Sequence, residues 1–108
     1  MKIHVEIYLA SRILAQRQGT FTTSDLVRFF REEFGDERPG VQTHASAVCV
    51  ANVRLNHPSA YNYLWRLTYG VLRPFRPGYD QPHADRMGAR TRPEPEDVPA
   101  QYRHLLED

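Results

Sequence analysis

The spacing of apolar residues near the start of the chain predicts a first helix. Apolar side chains recur every three or four residues, and the pattern stops at Gly19, so we expect a helix over residues 3–18. Its apolar stripe is wide enough that it could also support a homodimer. The residues of the stripe are Ile3, Ile7, Ala10 and Leu14, with Leu9 and Ile13 beside them.

A second amphipathic pattern follows a very short run of β-forming residues. The run TFT, residues 20–22, predicts a small strand. Thr23 or Ser24 then supplies an N-cap hydroxyl, and Asp25 in the first turn favours the positive end of the helix dipole. Gly35 ends this second helix. Its apolar stripe contains Leu26, Phe30 and Phe34, with Val27 and Phe29 beside them.

A third helical pattern occupies the stretch RPGVQTHASAVCVANVR, residues 38–54. At about 100° per residue, Ala45, Val48 and Asn52 gather on one side and form a narrow core-facing stripe. The opposite side gathers short polar and small apolar residues, with an arginine at each end of the stretch. These outward residues are Gln42, Thr43, Ser46, Ala47 and Val50. Such a face is suited to the recognition of another molecule at short distance.

Aromatic and branched residues around a single glycine predict a β-hairpin over residues 61–75. If Tyr69 and Gly70 form its two-residue turn, Arg66 lies opposite Arg73. Like charges paired across strands destabilise a hairpin, so we interpret this arginine pair as a contact for a bound anion. The same register turns three residues toward the core: Trp65, Leu67 and Leu72.

The order helix, short strand, helix, helix and hairpin predicts an α+β fold, a winged helix-turn-helix with three helices and a short β-hairpin wing. Residues 1–76 would form this domain. Residues 77–108 would form an extended Pro- and Arg-rich arm and a short C-terminal helix, packed on the same domain. The arginines of the arm could follow a DNA backbone or only tie the arm down. They are Arg86, Arg90 and Arg92.

Charge is distributed unevenly along the chain, although the net charge is only +1. Residues 1–38 are balanced, residues 39–93 carry seven arginines against two aspartates, and residues 94–108 carry one arginine against five acids. The central excess of positive charge favours a polyanionic partner. The apolar run at the start is interrupted by Glu6 and Arg12, which argues against a membrane span or a signal peptide. With Cys49 the single cysteine, we expect a cytoplasmic protein.

The run GVQTHASAVCVAN, the tyrosine-rich strand and the arm LRPFRPGYDQPHADRMGARTRPEPEDVPAQYRHLL resemble a family of uncharacterised bacterial winged-helix proteins. The resemblance covers residues 20–106. Related domains are similar to the DNA-reading modules attached to restriction-type nucleases. The resemblance therefore implies a winged-helix fold and, by analogy, DNA binding.

The helix-turn-helix docking mode assigns roles to the candidate residues. Gln42 could bond adenine, Thr43, Ala47 or Val50 could touch a thymine methyl, and Ser46 could bond a base or a phosphate. Five arginines are the candidate phosphate contacts: Arg38, Arg54, Arg66, Arg73 and Arg76. If all five engage, the slope of log affinity against log salt should be about −4 to −5.

Catalytic and metal-binding interpretations have less support in the sequence than DNA binding. Cys49 and His44 lie five residues apart and point in different directions on a helix, with no third group to orient them. The residues His57, Asp80, His83 and Asp85 match no zinc or calcium spacing. No phosphate loop or nucleophile elbow occurs. We predict a non-enzyme without a cofactor or a metal.

The sequence thus predicts a protein that binds double-stranded DNA, as a regulator or as the reading subunit of a defence system with a nuclease partner. Reading of a methylated base through Ala47 and Val50 is a variant of the same function. The alternative is a winged-helix module that binds protein, through exposed tyrosines and the acidic tail. Those tyrosines are Tyr61, Tyr63 and Tyr69.

Overall fold

Helices pack against a small antiparallel sheet in the computed structural model, which describes residues 1–35, 38–54 and 60–106. The α+β class predicted from the sequence is therefore confirmed. The helices are α1 (Ile3–Gln18), α2 (Thr23–Phe29, continued by a π-helical turn over Phe30–Phe34) and α3 (Val41–Thr43, continued by a π-helical turn over His44–Val48). The strands are β1 (Phe21–Thr22), β2 (Leu64–Thr68) and β3 (Val71–Pro74). Short 3₁₀ turns follow at Ala84–Arg86, Pro95–Asp97 and Ala100–Leu106.

Helix α1 is the central element of the core. Its predicted bounds are confirmed, and Gly19 ends it with a φ of 80°, a backbone conformation that favours glycine. Every residue from His4 to Ser11 is buried, because the sheet, α2 and α3 cover this helix from several sides. The wide apolar stripe is used inside the monomer, so it leaves no free face on these turns for a homodimer.

Helix α2 begins one residue earlier than the sequence suggested. Its N-cap is Thr22, not Thr23 or Ser24. The backbone N–H of Asp25 donates to the Thr22 hydroxyl at 3.1 Å, and the backbone N–H of Thr22 donates to the Asp25 carboxylate at 2.9 Å. These hydrogen bonds hold the pKa of Asp25 below its usual value. The reciprocal pair joins the last residue of β1 directly to the helix.

The sheet has the strand order β1-β3-β2, and its hairpin register differs from the predicted one. Thr68 pairs with Val71 as expected, but an irregularity follows between Arg66 and Thr68. Arg66 consequently pairs with Leu72, and Trp65 pairs with Arg73. The predicted facing of Arg66 and Arg73 is wrong. So is the inward orientation of Leu67, whose side chain is 49% exposed.

The C-terminal turn folds back on the body, as the spacing of its apolar residues predicted. Leu105 and Leu106 are buried in the core, and the ring of Tyr102 packs edge-on against Phe34. Arg92 donates a hydrogen bond to the Leu106 carbonyl at 3.2 Å. This part of the arm is therefore tied to the turn that follows it.

A polar cluster is built into the buried side of α1. The ring of His4 stacks on Tyr61 with 4.1 Å between ring centroids, and its Nδ1 shares a hydrogen bond of 3.2 Å with the hydroxyl of Tyr63. Burial disfavours the charged imidazolium and lowers the pKa of His4 from 6.5 to about 4. Burial also raises the pKa of Tyr63. Both side chains are neutral when the protein is folded at pH 7.

The depressed pKa of His4 predicts a loss of stability in mild acid. Between pH 6.5 and pH 4 the unfolded chain binds a proton that the folded chain rejects, so the free energy of unfolding falls as pH falls through this window. Over that range, the loss should approach about 3 kcal/mol. Urea unfolding of the wild type and of His4→Phe at several pH values measures it. The variant should show a flatter pH dependence, and His104→Gln, which removes an exposed histidine, should retain the wild-type slope. Identical slopes for wild type and His4→Phe would contradict this assignment.

Candidate nucleic-acid interface

The outer side of α3 exposes the short polar residues that the sequence placed there. Gln42, Thr43 and Ser46 are exposed, while Val41 and Ala45 are buried against the core. The Ser46 hydroxyl donates to the Gln42 carbonyl at 2.7 Å, which uses its proton and leaves its oxygen as an acceptor. The amide of Gln42 remains able to donate and accept toward solvent.

Two residues of the predicted reading face lie elsewhere. Val50 is completely buried and bridges to Leu64 of β2, so its assignment as a base contact is wrong. The reason is that the helical turns end at Val48, after which the chain leaves the direction that a longer helix would have followed. Ala47 is half-buried on the last turn. The apolar pair proposed to accept a methyl group is therefore not formed.

A groove of about 540 Å³ runs between the start of α2, the outer side of α3 and the hairpin. It brings together Gln42, Ser46, Arg66 and Tyr69, which are separated by up to 27 positions in the sequence. Its remaining lining residues are Thr22, Thr23, Ser24, Ala45, Gly70, Val71 and Leu72. The lining thus has hydroxyls, an amide and a guanidinium, and no carboxylate.

Asn52 fixes the position of Arg66 in this groove. Its side-chain amide donates to the Arg66 carbonyl at 2.7 Å and accepts from the Arg66 backbone N–H at 2.8 Å. This amide takes the place of a neighbouring strand at the outer edge of β2. The helical pattern placed Asn52 on the core-facing side of a longer third helix, so this contact with β2 was not predicted.

Two of the five predicted phosphate-binding arginines are engaged in ion pairs with buried acids. Arg73 makes a bidentate pair with Asp80 at 2.8 Å for both hydrogen bonds, and its guanidinium lies over the ring of Trp65. Hydrogen bonds from Arg73 hold the pKa of Asp80 below its usual value. Arg38 pairs with the buried carboxylate of Glu6 and also donates to the Met1 carbonyl at 2.7 Å. Both arginines stabilise the fold. The hairpin therefore needs no bound anion to relieve repulsion between its arginines.

The other three arginines, Arg54, Arg66 and Arg76, are exposed. Only Arg66 lines the groove beside α3. Arg76 lies beyond the far end of β3, where its guanidinium approaches the ring of Tyr79 at 5.7 Å and it lines a separate cleft with Arg12. The positive charge available to a ligand is therefore smaller than the arginine count suggests.

The most buried charged side chain of the arm binds the C-terminal end of α3. Arg86 is 1% exposed and donates to the carbonyls of Val48 at 3.0 Å and Val53 at 2.9 Å. It also donates to the carbonyls of Ala47 and Tyr61. Burial lowers its pKa from the usual arginine value. The arm is thus bound to the end of the helix whose outer side lines the groove, which excludes Arg86 from contact with DNA.

The structure also places the residues considered for catalysis, protein binding and metal binding. Cys49 is completely buried, and burial raises the pKa of its thiol, so it is not available as a thiolate nucleophile. Tyr63 is buried and Tyr61 is stacked on His4, which leaves Tyr69 as the exposed member of the predicted tyrosine surface. His57 lies outside the described residues. Within residues 1–35, 38–54 and 60–106, no three potential metal-ligating side chains cluster.

Comparisons with protein-family models, with curated protein sequences and with solved structures found no match to this chain. No helix in the described part of the chain has the length and apolar character needed to cross a membrane.

The burial of Arg86 predicts a large effect of its removal on stability. Arg86→Ala leaves four carbonyls without a charged donor and should lower the free energy of unfolding by about 3 kcal/mol. Arg103→Ala is the matched control, because this exposed arginine also donates to two backbone carbonyls but should cost less than about 1 kcal/mol. Urea unfolding at pH 7 measures both changes. Equal destabilisation by the two variants would show that Arg86 is no more important than a surface arginine.

Proposed function

We propose that this chain is a winged-helix protein that binds duplex DNA through the groove between α2, α3 and the hairpin. The observation that carries this proposal is the juxtaposition of Gln42 and Ser46 on one wall with Arg66 on the other. An amide and a hydroxyl can hydrogen bond to base edges, and a guanidinium suits a phosphate. The resemblance to uncharacterised bacterial winged-helix proteins, whose related domains are similar to DNA-reading modules of restriction-type nucleases, points to the same function by analogy alone.

The order of the elements supports the winged-helix interpretation. A helix, a short strand, two helices and a hairpin follow one another, and β1 completes the sheet beside β3. In a helix-turn-helix protein the second helix of the motif enters the major groove, and its exposed side chains contact base edges. Helix α3 would have this role here, with Gln42, Thr43 and Ser46 as base contacts.

The structure lowers the expected electrostatic contribution to DNA affinity. Of the five arginines proposed from the sequence, Arg66 in the groove and Arg54 and Arg76 outside it are exposed, and we take these three as the phosphate contacts. Since each contact contributes roughly −0.9 to the slope of log affinity against log salt, the expected slope is about −3 and not −4 to −5.

A protein partner is the competing function, since Leu67 and Tyr69 expose apolar surface at the hairpin. Such an interface would depend little on salt, whereas phosphate contacts weaken steeply as salt rises. The lining of the groove favours DNA, because it has one guanidinium and no acid.

Fluorescence anisotropy on labelled duplexes across a salt series tests the proposed function. Wild-type protein should bind a mixed-sequence duplex with a slope of about −3, and Arg66→Ala should weaken binding and reduce the slope by roughly 1. Gln42→Ala should reduce sequence preference by about 1–3 kcal/mol and leave the slope unchanged.

Arg90→Ala is the matched control for the charge, because Arg90 is exposed, pairs with Glu94 and lines a cleft away from the groove. A methylated copy of each duplex tests modified-base reading in the same series. No binding to any duplex at low salt would refute DNA binding. Salt-insensitive retention of a protein from the source cell would then favour the competing function.

A further inference from the structure

Tyr69 is unusually exposed for a large aromatic residue. Its side chain is 93% exposed, more than that of any other large hydrophobic residue in the described part of the chain. Among these residues, no aromatic ring or guanidinium packs on it. The other highly exposed tyrosine, Tyr79, lies in the arm and has the guanidinium of Arg76 near its ring. Tyr69 therefore presents free faces of its ring to solvent.

The hairpin turn holds Tyr69 in a defined place. Thr68 pairs with Val71, so Tyr69 and Gly70 form a two-residue turn at the tip. Gly70 has a φ of 76°, a conformation that other residues adopt only with strain. With two side-chain torsions, a tyrosine on such a turn loses little conformational entropy when it binds.

The position of the ring relates it to the proposed interface. Tyr69 lines the same groove as Gln42, Ser46 and Arg66. Leu67, two residues earlier, adds a second exposed apolar side chain near the tip. A ligand held by α3 and by Arg66 would therefore meet an aromatic ring at the edge of the groove.

We infer that Tyr69 stacks on a nucleobase of the bound DNA and opens the stacking of that base step. The inference rests on the proposed function and adds a contact to the same site. Each base has an apolar face that can stack on an aromatic ring, and wedge side chains that enter a base step unstack it. Flexible steps, such as TA and CA, would accept the ring at the lowest cost.

Duplexes that carry 2-aminopurine at one position test this contact, because the fluorescence of this base rises when it is unstacked. Full-length wild-type protein should raise the fluorescence at one position near the edge of its footprint and leave the other positions unchanged. Tyr69→Ala should abolish the rise and weaken binding about tenfold. Tyr69→Phe keeps the ring and should keep the rise. Tyr79→Ala removes a comparably exposed tyrosine away from the groove and should keep the rise at the same position.

The outcomes separate this inference from the proposed function. Tight, salt-dependent binding with no fluorescence rise at any position would refute base stacking and leave DNA binding in place. A rise that persists in Tyr69→Ala would assign the unstacking to another residue and refute the inference as well. Absence of binding at low salt would refute both, and would leave the exposed tip as a contact for protein.

Discussion

The hydrogen bonds that the buried guanidinium of Arg86 donates are the interaction that joins the third helix to the rest of the structure. Helix α3 and its continuation span only residues 41–48, and no side chain caps its start. A helix this short is not stable by itself in water. Its last carbonyls find their partners beyond the helix, where the Val50 N–H donates to the Ala47 carbonyl at 3.1 Å and the Tyr61 N–H donates to the Val48 carbonyl at 3.0 Å. Arg86 donates to the carbonyls of Ala47 and Val48 at this end, and also to Val53 and Tyr61 beyond it. A residue of the arm therefore helps to set the orientation of the exposed side of α3.

The arm is joined to the body at several further points. Asp80 pairs with Arg73 of β3, the His83 N–H donates to the Ala51 carbonyl at 2.8 Å, and the Asn62 N–H donates to the Arg90 carbonyl at 2.8 Å. One of these contacts engages Arg73, which the hairpin pattern had suggested as a phosphate contact. A chain that ended near residue 76 would lose the support of α3 and of the hairpin together. The predicted division into residues 1–76 and an arm is thus useful for describing the sequence, but the two parts share one set of stabilising contacts.

The sequence predicted most accurately what depends on local spacing. The bounds of α1 follow from its apolar period and from Gly19, and the hairpin turn follows from Tyr69 and Gly70. The errors arose where distant residues decide the outcome. The hairpin register is shifted at a position where the Asn52 amide binds the backbone of Arg66, and no local pattern in β2 reveals this contact. Val50 fits the outer side of an ideal helix but is buried, because the chain turns away after Val48 to pair with β2.

The same long-range contacts limit how this protein could bind DNA. Residues 39–93 carry a formal charge excess of +5, yet Arg73 and Arg86 are used inside the fold. With the three phosphate contacts of the proposed interface, affinity for DNA should fall only about 40-fold between 50 mM and 200 mM salt, less than for proteins that make many such contacts. Electrostatic attraction alone would then give weak binding to any sequence. A useful affinity must come from base edges, from an aromatic stack, or from a second DNA-binding subunit. In the groove, these requirements converge on Gln42, Ser46 and Tyr69, which lie beside the one exposed arginine that Asn52 holds in place.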